Sequence, residues 1–142
     1  MFLSPKNPKY TKTFSRKTLQ RTSPNPSNIY QGDFSLIAAE SGRITNFQIE
    51  AIRRFMRRFL KKKAKILFNI FPNIPITKKP NEVRLGRGKG NVKYWSCLIS
   101  KGNCIVEVKG CNQLLANRVL NGVKIKLPIK TFYHNKYKRW IL

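Results

Sequence analysis

A chain of 142 residues with 41% hydrophobic content can form one domain with a modest core and a tail. Its 30 Lys and Arg against 5 Asp and Glu leave a net charge of +25, a self-repulsion most simply relieved by a polyanion, with nucleic acid ahead of a membrane surface. The longest apolar runs fall far short of the ~20 residues that cross a bilayer, and three cysteines without a CxxC pair argue against a disulfide framework or a zinc site.

Residues 1–30 are basic, rich in Ser, Thr, Asn and Pro, and hold no acid. Such a composition cannot bury enough apolar surface to fold alone. It resembles a mitochondrial transit peptide, but Pro5, Pro8, Pro24 and Pro26 oppose the amphipathic helix that such a peptide needs. An extended RNA-threading arm is expected, with Lys6, Lys9, Lys12, Arg16 and Lys17 on phosphates.

Residues 33–39 alternate as a strand, and Ser41-Gly42 ends it in a turn. Thr45 and Gln48 then have capping-box spacing, with Ile44 and Ile49 placed as a hydrophobic staple. Ile49, Ile52, Phe55, Met56, Phe59 and Leu60 form a helical apolar stripe. On the other face, Arg53, Arg54, Arg57, Arg58, Lys61 and Lys62 recur with no acid expected to relieve them. Like charges four apart cost about 0.2–0.5 kcal/mol per pair in an isolated helix. Phosphate docking explains the stripe better than a merely solvated face, which would mix both signs, or a membrane-surface helix.

Residues 65–71 read as a strand stopped by Pro72, and residues 72–80 as a stiff extended connection. Next comes Val83-Arg84-Leu85-Gly86-Arg87-Gly88-Lys89-Gly90-Asn91-Val92-Lys93-Tyr94-Trp95, in which three glycines alternate with cations. Glycine permits positive φ and close approach of another molecule to the main chain. The run is neither a P-loop nor a dinucleotide fingerprint, because its glycines are spaced by two and the residues after Gly90 alternate like a strand. A loop held out to touch RNA is the reading that fits.

Residues 92–99 and 104–109 predict a hairpin across Ser100-Lys101-Gly102-Asn103. Tyr94 and Trp95 point to opposite faces, one of them expected in the core. Asn112 is placed to cap a second helix through Val123, weakened or ended at Gly122. Residues 126–133 predict a last strand, with Pro128 suiting an edge. The class is α+β: a two-layer sandwich of a mainly antiparallel sheet with two helices on one side, plus the extended basic arm. The divisions are 1–30 arm, 31–134 domain and 135–142 basic, aromatic tail.

No catalytic constellation shows. His134 is alone, and Asp33, Glu40, Glu50, Glu82 and Glu107 are scattered. Cys97, Cys104 and Cys111 read as small buried hydrophobes. An enzyme using the glycine loop as a phosphate cradle would need an acid pair or a His relay nearby, and Glu82 is the sole acid there. No cofactor or metal is expected. A membrane-surface or DNA-compacting protein is the alternative, with more shaped structure than either role requires.

These residues resemble the bacterial-type large-subunit ribosomal protein sixteen family over nearly the whole chain. The motifs are Ser4-Pro5-Lys6 with Lys9 and Lys12, Ile44-Thr45, Gln48-Ile49-Glu50-Ala51, Arg53-Arg54, Phe71-Pro72, Pro75-Ile76-Thr77, Lys79-Pro80, the glycine loop through Tyr94-Trp95, and Lys126-Leu127-Pro128-Ile129-Lys130-Thr131. The resemblance implies a non-enzymatic component of the large ribosomal subunit, bound to its rRNA and to neighbouring ribosomal proteins. It implies no membrane and no homo-oligomer. It further implies that Arg84, Gly86, Arg87, Gly88, Lys89 and Gly90 face the A- and P-site tRNAs near the peptidyl-transferase centre, while Arg53, Arg54, Arg57 and Arg58 face rRNA. Leu85 and Arg87 stand where that family usually has methionine and lysine. Residues 15–31 depart from its Lys/Arg/Gly-rich arm, and Tyr137-Lys138-Arg139-Trp140 extends beyond it. Frequent Asn, Ile and Lys suit an AT-rich organellar gene, so a mitochondrial ribosome is expected, with a plastid or bacterial one as alternative.

Overall fold

A computed structural model describes residues 3–14, 31–84, 86 and 88–136. The elements in chain order are β1 (Phe34–Ala38), β2 (Gly42–Thr45), α1 (Asn46–Leu60), β3 (Lys65–Phe68), β4 (Ile74–Lys78), β5 (Asn91–Ile99), β6 (Cys104–Lys109), α2 (Gln113–Lys124) and β7 (Thr131–Asn135). The α+β class holds, with every strand pair antiparallel. The strands divide between two sheets rather than one. A four-stranded sheet has the order β3-β6-β1-β7, and a three-stranded sheet the order β2-β5-β4.

The first core cluster sets Phe34 and Leu36 of β1 and Val106 and Val108 of β6 against both helices. Ile52, Met56 and Leu60 come from α1; Ala116, Val119, Leu120 and Val123 come from α2. The second joins the small sheet to the rest, with Ile44, Cys97 and Ile99 meeting Ile49, Ala38, Ile105 and Ile129. The capping box is formed: the Gln48 N–H donates to Thr45 Oγ1 at 3.3 Å, and the Thr45 N–H donates to Gln48 Oε1 at 2.9 Å. Ile44 and Ile49, the staple pair, are both buried in the second cluster. The apolar stripe is narrower than its spacing predicts. Phe55 is half-buried, and Phe59 is exposed and tilted against it with ring centroids 4.7 Å apart.

The predicted hairpin does not form, because β5 and β6 lie in different sheets. Between them the Gly102 N–H donates to the Ala38 carbonyl and the Ala38 N–H to the Asn103 carbonyl, at 2.8 and 2.9 Å. The connection is thereby sewn to the end of β1, and the chain crosses between sheets. Two short strands replace predicted connections. Gly42–Thr45 was expected to begin in a turn, but pairs throughout with β5 as β2. Inside the stretch expected as a stiff connection, Ile74–Lys78 forms β4, an edge strand where the missing N–H of Pro75 is tolerated. The last strand starts later than predicted, at Thr131, which leaves Pro128 outside it. Asn112 precedes α2 without a side-chain capping bond. Gly122 neither caps nor ends α2; a Cβ there would lie 2.4 Å from the Phe55 ring, so glycine lets the two helices meet.

Candidate nucleic-acid interface

Helix α1 turns Ile49, Ile52, Met56 and Leu60 inward, so periodicity alone drives Arg54, Arg57 and Arg58 outward, followed by Lys61 and Lys62 just beyond its end. The stripe is not wholly without acid, contrary to the sequence expectation. Arg53 donates to both carboxylate oxygens of Glu50, from Nε at 2.8 Å and from Nη2 at 2.6 Å, and Arg54 Nε adds a bond at 3.1 Å. The Arg53 bond above all, with Arg54 helping against burial, holds the Glu50 carboxyl down to about 2. Glu50 therefore fixes the orientation of the first two arginines. Arg57, Arg58, Lys61 and Lys62 form no ion pair among the described residues.

Those four cations cluster at the C-terminal end of α1, where the partial negative charge of the helix favours them by typically 0.3–1 kcal/mol each and offsets their mutual repulsion. The helix ends on Lys61 at φ 49°, a backbone region that disfavours side chains and that glycine normally occupies. A lysine held there keeps a charge where a more relaxed end would carry none. Beside it lies a groove of about 760 Å³, lined by Arg53, Arg57, Lys61, Lys62 and Lys65 over Ile66 and Phe68. Five cations over an apolar floor suit a polyanionic backbone.

The second cationic region is the glycine loop. Gly86 and Gly88 have φ of 117° and 76°, and a Cβ on either would meet nothing within 4 Å. Glycine serves backbone direction there, and the space around it is open. Gly90 is different: a Cβ would lie 2.7 Å from the Lys78 carbonyl carbon and oxygen, so the loop rejoins the sheet through a contact only glycine allows. Arg84 and Lys89 are exposed, as are Lys6, Lys9 and Lys12 of the arm.

Arm and loop meet. Lys12 Nζ donates to the Lys89 carbonyl at 3.0 Å, Lys89 Nζ donates to the Thr13 carbonyl, and the same ammonium stands 5.1 Å from the Phe14 ring centroid. Lys79 Nζ holds the Gly86 carbonyl at 2.5 Å. Arg16, Lys17 and Arg87, also expected to bind RNA, lie outside the described residues, as does most of the divergent stretch 15–31 and all of Tyr137-Lys138-Arg139-Trp140.

The sequence reading missed Glu107. Fully buried on β6, it accepts the Gly32 N–H at 2.7 Å, the Gln31 N–H at 3.0 Å and the Asn69 amide at 2.5 Å. It pins the chain where the arm enters β1. An acid alternating among Ile105, Val106 and Val108 was the signal available. Burial pushes the Cys97 and Cys104 thiols up to about 11 and 12, in keeping with their reading as core residues, while Cys111 is half-buried. Tyr94 and Trp95 do alternate across β5, but both are half-buried and neither is core. Among the described residues no group of three or more His, Cys, Asp and Glu is placed to hold a metal, and no helix is long and apolar enough to cross a membrane.

The family model for ribosomal protein L16p/L10e matches residues 5–133 of the chain. The large ribosomal subunit protein uL16 of Thioalkalivibrio sulfidiphilus (strain HL-EbGR7) is 41% identical over 129 residues, spanning 91% of this chain and 93% of that one. That of Coxiella burnetii (strain CbuK_Q154) is 42% identical over 131 residues, spanning 92% and 95%.

Proposed function

The chain belongs to the ribosomal protein L16p/L10e family, a structural and non-enzymatic component of the large ribosomal subunit, and from that premise we propose that it binds large-subunit rRNA through the α1 groove and its arm. The observation that carries this reading is the groove itself: Arg53, Arg57, Lys61, Lys62 and Lys65 converge on one concave surface at a strained helix end. Lys6, Lys9 and Lys12, with Arg16 and Lys17 by sequence, extend the phosphate-binding track. We further propose that the loop from Arg84 through Gly90 faces the A- and P-site tRNAs. The open space around Gly86 and Gly88 supports close approach of another backbone there. Neighbouring ribosomal proteins complete the partners of a single copy, with 1–30 as arm, 31–134 as domain and 135–142 as tail.

A mitochondrial ribosome is the address we propose, on composition alone; the two relatives named are bacterial, which supports a ribosome and equally suits a bacterial cytoplasm. Sedimentation of a tagged chain from gently lysed cells, with and without RNase, tests the function. Co-migration with large subunits that RNase abolishes is the expected result. A free or membrane-bound chain with no large-subunit peak overturns the reading and returns the basic helix to lipid or DNA.

A further inference from the structure

The three-stranded sheet carries a cavity that neither the α1 groove nor the tip of the glycine loop uses. Its volume is about 220 Å³. That is below the ~300–1,000 Å³ of sites that enclose a drug-sized ligand and on the scale of one nucleobase.

Strand register builds it. Ile44, Cys97 and Ile99 face the core, so their strand neighbours Arg43, Thr45 and Ser96, with Tyr94 further along β5, face the other way. On β4 the alternation is broken by a register shift between Ile76 and Thr77, which pairs Ile76 with Tyr94 and Thr77 with Val92. Tyr94 and Val92 share a face, so the bulge turns Thr77 to the cavity as well as Ile76. Lys89 of the loop and Thr13 of the arm complete the lining, and no carboxylate stands among the described lining residues. At the edge is Phe47 of the first turn of α1, 60% exposed and outside both core clusters, its ring 6.5 Å from that of Tyr94 and tilted 57° to it.

We propose that this cavity receives one unstacked nucleotide of RNA. The base enters beside the Tyr94 and Phe47 rings, in the manner by which unstacked bases lie on aromatic side chains. Its polar edge meets the hydroxyls of Thr45, Thr77 and Ser96 and the guanidinium of Arg43. Thr45 spends an oxygen lone pair on its helix cap, which leaves its O–H free to donate. The Lys89 ammonium takes the phosphate, exchanging the neutral Thr13 carbonyl for a charged acceptor. A paired base, locked in its stack, has no way in. The site rests on the RNA-binding reading above and adds to it a preference that phosphate contacts do not confer.

The test titrates the full chain, at fixed salt, against two RNA hairpins identical except for one bulged nucleotide, made in turn as 2-aminopurine and pyrrolocytosine. The bulged hairpin is expected to bind about tenfold tighter for at least one probe base, with a fluorescence change as that base stacks. Tyr94→Leu, Thr77→Phe, which fills the cavity, and Phe47→Ala, at an exposed position, each bring the preference down to about twofold or less while leaving affinity for the paired hairpin unchanged. Arg57→Ala with Arg58→Ala weakens both hairpins alike. Equal affinity without a fluorescence change, or a preference that survives Phe47→Ala and whichever of the other variants melt normally, overturns the cavity and leaves RNA binding standing. Binding to neither hairpin overturns both.

Discussion

The cations of α1 and those of the glycine loop are held in place by different means. On α1 the position of every charge is set by the burial of Ile52, Met56 and Leu60 behind it, and the surface would persist if the charges were removed. In the loop nothing apolar lies behind Gly86 or Gly88. Its path depends on lysine ammonium groups that grip carbonyls, Lys79 on Gly86 and Lys89 on Thr13. The helix offers a preformed surface, whereas the loop spends its own cations on its own backbone until a better acceptor arrives. Rigid docking and adaptable contact are thus divided between two parts of one small domain.

The sharpest way to break this contrast is to neutralise the helix. Replacing Arg57, Arg58, Lys61 and Lys62 together by alanine is expected to lower affinity for an rRNA fragment by about a hundredfold or more and the salt slope by about 3–4. The melting temperature should hold or rise as repulsion is relieved. Filter binding across a salt series reads the first, calorimetry the second; an unchanged slope would detach the helix from phosphate.

Next in size is Gly90→Ala. Its Cβ has nowhere to go against the backbone at Lys78, so urea unfolding should report a loss of about 1–3 kcal/mol. Lys61→Gly is expected to act oppositely on the two properties. Relief of the strained φ should stabilise the fold by about 1 kcal/mol while RNA affinity falls several-fold. Gain in both would mean that the strain serves no binding purpose.

Lys89→Met tests the loop. Hydrogen exchange in residues 84–90 should accelerate several-fold with global stability unchanged, since the bonds lost are local. The smallest effect concerns Glu50. Its carboxyl titrates at about 2 when folded and near 4.5 otherwise, so the stability it contributes is present above about 4.5 and lost as pH falls through 2. Denaturation curves of the native chain and Glu50→Gln should converge only toward pH 2. Convergence at pH 4 would show that the arginines do not hold it.

What the chain disclosed beforehand was what local chemistry decides. The Thr45 cap, its staple and the inward side of α1 depend on residues within a turn or two of one another. The arginine clamp on Glu50 is equally local, at spacings of three and four, and was legible though passed over. The division into two sheets was not legible, because β5 alternates as well for one partner as for another and Ser100-Lys101-Gly102-Asn103 has the composition of a hairpin turn. Strands β2 and β4 were hidden by Gly42 and Pro75, which ordinarily mark turns and breaks. The meeting of Lys12 with Lys89 spans 77 positions, and no periodicity reports it.

The arrangement of strands has a further consequence for copies of the chain outside their assembly. All four sheet margins are short: β2 and β3 have four residues each, β4 and β7 five. Strand β4 lacks an N–H at Pro75, is bulged at Ile76 and Thr77, and ends on Lys78, while β3 opens on Lys65. Each of these features blunts a margin that could otherwise template pairing with another molecule. Together with a net charge of +25, they keep unassembled chains apart from one another, so that the surfaces left available for association are those that recognise a polyanion.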